Sequence, residues 1–173
     1  MRLDKIPSSS IFLEKIMQKI VLAAFVAILG LFSLSSIASA ADRGTEKEAI
    51  AMVQKAVAYY KKNGRDKAIA EFNNPSGQFR DKDLYIFALV FKGGKKGTML
   101  GHVNPKMVGQ DVTDLRDPKD NFFIKKMLVL AEQKPSGWVD YSWVDPKEKA
   151  TYLKKTSYQE SIDDLIIGCG IYK

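Results

Sequence analysis

Cysteine and histidine are almost absent from this chain: one of each, Cys169 and His102, in 173 residues. One cysteine cannot close an internal disulfide, so the fold must be held by its core. A C-x-x-C-H haem attachment and a Cys/His zinc set are excluded with it. Also missing are G-x-S-x-G, a P-loop and G-x-G-x-x-G, so no spacing argues for an enzyme, and neither a cofactor nor a metal is expected. The formal charge is +7, yet the lysines are spread along the chain. Nucleic-acid binding requires a clustered basic face, so no such partner is expected. A solvated lysine-rich surface, with a mild preference for anionic small molecules, is the reading that remains. Repeats and low-complexity segments are absent, and the length suits one domain.

One long apolar run is present. "IVLAAFVAILGLFSL" covers residues 20–34 without a charge, follows Lys19, and leads to Ala38-Ser39-Ala40. A basic residue, an apolar centre and an A-x-A end are the parts of a secretory signal. The expectation is a signal peptide over 1–40, cleaved near Ala40, and a single domain over 41–173 in the periplasm or secreted. Met17 opens a tidier version of the signal and is a candidate true start. The rival reading keeps the run as a membrane anchor. No cysteine closely follows the run, which argues against a lipid anchor.

After Ala41 the periodicity changes twice. "TEKEAIAMVQKAVAYYKKNG" reads as a helix with a Thr45–Glu48 capping box and Gly64 as its stop. A shorter helix, "RDKAIAEFN", ends at the Asn74-Pro75-Ser76-Gly77 turn cluster. "DLYIFALVF" has the length and apolar continuity of a strand covered on both faces. "TMLGHV" is a second strand, residues 104–120 are a polar connector, and "NFFIKKMLVLAEQK" returns to helix. Three strands close the chain: "GWVDYSWV", "ATYLKKTSY" and "LIIGCGIYK". The order predicts an α+β fold, a five-stranded antiparallel sheet with helices largely on one face. Cys169 reads as a small buried hydrophobe on the last strand.

Five stretches, in order, resemble the single Cache domain of type 2, a PAS-like extracellular sensor module of bacteria. They are "AEFNNPSGQFRDKDLYIFAL", "GTMLGHVNPKMVGQDVTDLRDPKD", "GWVDYSWVDP", "KKTSY" and "IIGCGIY". The resemblance implies a long N-terminal helix on a PAS-like sheet, with one small-molecule pocket between the sheet and the loops over it. It implies a small organic metabolite as ligand, such as a carboxylate or amino acid, and a role in signal transduction or chemotaxis. The chain ends at Lys173, directly after the last strand, with no kinase or methyl-accepting part. The expectation is a free-standing exported binder that serves a separate membrane receptor or kinase. A ligand-free dimerisation module is the alternative.

The candidate ligand-binding residues are Tyr85, His102, Met107, Trp138, Tyr141, Trp143, Lys155 and Tyr158. Alternation along a strand puts Val139, Tyr141 and Trp143 on one face and Trp138, Asp140 and Ser142 on the other. Such aromatics serve a sheet core or a pocket wall, and spacing does not decide between them. Lys155 and Ser157 share a face, opposite Thr156 and Tyr158. A lysine facing a closed pocket is a natural counter-ion for a carboxylate, and the resemblance favours Lys155 over Lys154. His102 is either a turn cap or a ligand contact. Met107 and Val108 suit an apolar lid. Asp111, Asp114, Asp117 and Asp120 read as turn-makers, since calcium loops use closer oxygen spacing.

Overall fold

The computed structural model describes residues 43–146 and 151–173. The expected signal peptide, its cleavage point and the start at Met17 lie outside the described residues. Helix α1 spans Glu46–Asn63 and opens on the expected capping box. The Thr45 hydroxyl accepts from the Glu48 N–H at 3.3 Å, and the Glu48 carboxylate accepts from the Thr45 N–H at 2.8 Å. Ala49, Val53, Ala56, Val57 and Tyr60 form its buried stripe. Gly64 ends it at φ 81°, a left-handed conformation that disfavours any side chain. Helix α2 follows over Arg65–Asn73 and buries Ala68 and Phe72.

The strands are β1 (Arg80–Asp81), β2 (Leu84–Val90), β3 (Met99–Gly101), β4 (Ser136–Val144), β5 (Tyr152–Ile162) and β6 (Leu165–Tyr172), with helix α3 (Phe123–Gln133) before β4. All pairings are antiparallel, in the order β1-β2-β6-β5-β4, and β3 pairs the far end of β2. The sheet thus has six strands, not the expected five; the extra one, β1, has only two residues. A pair of residues is too short to show a period of two, so sequence alone does not reveal it.

Helices α1 and α2 share one face, as expected for helices largely on one side, and α3 covers the other. Leu84, Ile86, Ala88 and Val90 of β2 pack with α1 and α2 in one core. Phe87, Leu89 and Phe91 pack with Phe123, Ile124, Met127, Leu128 and Ala131 of α3 in a second. A strand buried on both faces needs a cover on each, and α3 is the second cover. Buried Cys169 sits on the α1 side, with its Sγ 3.9 Å from Met52 Sδ. Burial pushes its thiol up to about 12, so it packs as a hydrophobe rather than reacting as a thiolate.

The connector lies over the α3 face. Asp117 is its pin: one carboxylate accepts from the backbone N–H groups of Lys119, Asn121 and Ser142 at 2.9–3.1 Å. Ser142 belongs to the edge strand β4, so the same contact covers an open ladder position. Asp111 likewise closes a turn by accepting from Thr113 N–H at 2.9 Å.

Candidate functional site

Between the sheet, α3 and the connector lies a cavity of about 20 Å³, lined by Tyr85, Phe87, Met99, His102, Met107, Leu115, Phe123, Ile124, Met127, Tyr141 and Trp143. The space admits about one water, so a larger guest requires the connector to shift. Its wall divides into two ends. Phe87, Met99, Leu115, Ile124 and Met127 supply an apolar end with soft, adaptable thioethers. Tyr85, His102 and Trp143 supply the polar end. The aromatics are fixed by one another: Tyr141 stacks on Phe123 with ring centres 4.3 Å apart, and Trp143 meets Phe123 edge-on at 5.6 Å.

Lys155 does not line this cavity but reaches one of its walls, Tyr85. It is 2 % exposed, and its Nζ donates to the Tyr85 hydroxyl at 3.2 Å. The same ammonium lies 4.5 Å from the Tyr85 ring centre and 4.4 Å from that of Tyr172. Among the described residues no carboxylate lies within ion-pair distance of it. Burial pushes its pKa down to about 8, against a smaller opposing pull from Cys169 and Asp83. An ammonium held among phenol rings without an anion is costly, which is why its charged form is disfavoured.

The reach of Lys155 depends on a glycine. Tyr85 is on β2 and Lys155 on β5, with β6 between them, so the two backbones are roughly 10 Å apart. The stem crosses β6 above Gly170, where an added Cβ would lie 2.4 Å from Lys155 Cε and 2.5 Å from Ser157 Oγ. Gly168 does the same for Phe87, whose ring tip would be 2.3 Å from a Cβ there. The "GCG" of the last strand therefore puts two bare positions on the cavity face and the thiol on the α1 face.

The polar groups at the cavity are arranged as donors. Tyr85 Oη accepts from Lys155 at 3.2 Å, which leaves its own proton free to donate. Burial raises its pKa well above the usual phenol value, with the neighbouring tyrosines adding to the effect, so that proton stays in place. His102 Nδ1 accepts from the Asn104 N–H at 3.0 Å, which fixes the Nε2–H tautomer as a second donor. Burial first, then the Lys155 charge, lowers the imidazole to about 4, so it is neutral near pH 7. His102 thus caps its turn and also faces the cavity. Tyr141 shares a 2.8 Å hydrogen bond with Ser157.

Of the eight residues singled out from sequence, Tyr85, His102, Met107, Tyr141 and Trp143 line one cavity, and Lys155 hydrogen-bonds to one of them. Trp138 and Tyr158 are not brought there. They are register partners on the reverse face, with rings 5.3 Å apart, and Trp138 is 36 % exposed. The period of two that placed Tyr141 on the cavity side puts Trp138 on the other, and Tyr158 stands the same way against Lys155. Sequence reading missed Gly168, Gly170 and Tyr172. Tyr172 holds Lys155 near one ring that Arg43 also approaches, its guanidinium carbon 5.2 Å from the centre. Arg43 in turn reaches Asp145 at 3.5 Å and Asp83 at 3.9 Å, clipping the chain's entry to the ends of β2 and β4.

The comparisons with known proteins agree with this fold. The family model "Single Cache domain 2" matches residues 33–173. The methyl-accepting chemotaxis protein McpP of Pseudomonas putida is 37 % identical over 71 residues, which is 40 % of this chain and 13 % of that protein. The chain thus covers a small part of that relative's length. A Cache chemosensory domain studied for the structural basis of its carboxylic acid recognition superposes with a TM-score of 0.59 at 24 % identity, over 73 % of this chain and 91 % of that one. A methyl-accepting chemotaxis protein from Vibrio parahaemolyticus gives 0.60 at 24 % identity, over 73 % and 87 %. The periplasmic sensor domain of a chemotaxis protein gives 0.54 at 21 % identity, over 82 % and 96 %. These structural likenesses speak for the fold, and the family match carries the assignment: the chain belongs to the single Cache domain 2 family of sensor domains.

Proposed function

We propose that this protein binds a small carboxylate between Lys155, Tyr85 and His102, with the ligand's carbon end toward Phe123 and Met127. The observation that carries this is the buried ammonium of Lys155, which has no ion-pair partner among the described residues and stands beside a wall of donors. A site with a cation, a phenol proton and an imidazole N–H suits a guest made of acceptors. The carboxylic acid recognition described for one structural neighbour points the same way. The protein acts as an exported sensor in signal transduction or chemotaxis, with a separate membrane receptor or kinase reading the bound form. The signal-like residues 1–40 and the periplasmic sensor domain among its structural relatives support that location.

The test is a thermal-shift screen of short carboxylates against their uncharged amides. A ligand at about 100 times its Kd adds about 2.7 kcal/mol to stability, a plainly measurable rise in Tm. Carboxylates should give the shift and amides should not. The pH dependence has a fixed sign. Bound carboxylate favours charged Lys155, so affinity is full between about pH 6, where the ligand is ionised, and about pH 8, and falls as pH rises through the latter. A folded protein that ignores every carboxylate would turn attention to a ligand-free interaction module.

A further inference from the structure

Lys155 is not the only cation beside Tyr85. Arg80, in the two-residue β1, is the direct register partner of Tyr85. Directly paired residues of antiparallel strands stand on the same face, so the Arg80 side chain rises beside Tyr85 on the cavity side of the sheet. It does so from the flank away from β6, whereas Lys155 arrives across β6. The Tyr85 phenol therefore stands between the two cations.

Arg80 also lacks a partner. Its Nε is shielded from solvent and makes no hydrogen bond. Among the described residues its guanidinium has no carboxylate within ion-pair distance and no ring beneath it. Yet its charge reaches the site, since it is among the groups that keep His102 neutral. An arginine of pure surface type leaves its head in water and its stem on apolar atoms. A buried, unbonded Nε next to a donor-lined cavity is a different arrangement, and guanidinium is the group that fits a carboxylate edge in two bonds.

We propose that Arg80 is a second anion-anchoring residue, and that the site takes a short ligand with two acidic groups, one held by Lys155 and Tyr85 and the other by Arg80 at the rim beside His102. Lys155 and Arg80 reach Tyr85 from opposite flanks, so the two acids take separate cations, and the second acid sits outside the enclosed space of about 20 Å³. This deepens the carboxylate reading of the site and rests on it.

The test is titration calorimetry of wild-type protein and Arg80→Gln with malonate, succinate, propionate and butyrate. In the wild type each dicarboxylate should bind about tenfold or more tighter than the monocarboxylate of equal carbon number. Arg80→Gln should erase that preference and leave monocarboxylate affinity within about threefold, since a rim contact is removed and the inner one kept. Arg80→Lys should recover only part of it, because an ammonium lacks the two-bond fork. Melting of the ligand-free variants should match the wild type, which separates a binding role from a structural one. Absence of a dicarboxylate preference in the wild type overturns the proposal. So does a preference that survives in Arg80→Gln, or an equal loss for both acids, which would assign Arg80 to the first carboxylate. If the folded wild type binds none of the four acids, the carboxylate reading falls as well.

Discussion

Lys155→Met should give a protein that melts higher than the wild type without ligand and no longer binds carboxylates. Both effects come from one atom. The folded state lowers the Lys155 pKa from 10.5 to about 8, and each unit corresponds to about 1.4 kcal/mol. Burying the charge therefore costs on the order of 3 kcal/mol. That figure already includes the hydrogen bond to Tyr85 and the two ring faces, since contacts that favour the charged form are part of the folded pKa. Methionine keeps the length of the stem and removes the charge, so a net gain of about 1–2 kcal/mol is expected, or several degrees in Tm. Affinity should fall about 100-fold, the scale for removing one partner of a desolvated charged contact.

The pH profile gives an independent check on the same atom. Because the folded pKa is the lower of the two, the unfolded chain holds the extra proton between about pH 8 and 10.5. From about pH 8 to about 9 the ligand-free stability of the wild type should thus rise with pH, with the full penalty in force below that; above about 9 buried Cys169, whose folded pKa is the higher one, pulls the other way. Lys155→Met should lack that rise and should lose stability above about pH 9. A variant that melts lower, or that still binds acids, would remove Lys155 from the centre of the site. A binding site that keeps a destabilising charge for its ligand is a trade of stability for function.

Sequence showed the parts of this site better than its assembly. The Thr45–Glu48 box and the Gly64 stop are local chemistry, and each appears where the pattern put it. Alternation in "GWVDYSWV" separated Tyr141 from Trp138 correctly, but it does not say which face meets a cavity. Retaining Trp138 and Tyr158 as ligand contacts ignored what their own period implied. The position of α3 was out of reach for another reason. Its apolar stripe matches either face of a sheet whose central strand is buried on both, and chain order does not choose between them. Gly168, Gly170 and Arg80 were missed because their roles are non-local. Each matters through a neighbour one or two strands away, and no pattern within the segment records that neighbour.

The two glycines of "GCG" should fail in different ways when each becomes alanine. At Gly168 the new Cβ would meet the Phe87 ring at 2.3 Å, inside a core where Phe87 is only 5 % exposed. A ring packed on all sides cannot swing away, so Gly168→Ala should cost about 1–3 kcal/mol in stability. At Gly170 the Cβ would meet Lys155 Cε and Ser157 Oγ, the movable parts of two side chains. Those atoms give way at little cost, and stability should change by no more than about 1 kcal/mol. The lysine, however, loses its track over β6 and with it the hydrogen bond to Tyr85. Carboxylate affinity should drop about 30-fold or more, approaching the loss in Lys155→Met. The displaced ammonium regains water, so the rise in ligand-free stability that begins near pH 8 should vanish as well. Denaturant melts and calorimetry on the two variants read both quantities. If Gly170→Ala binds like the wild type, Lys155 does not need the path over β6, and the account of how this sheet carries a cation to its cavity is wrong.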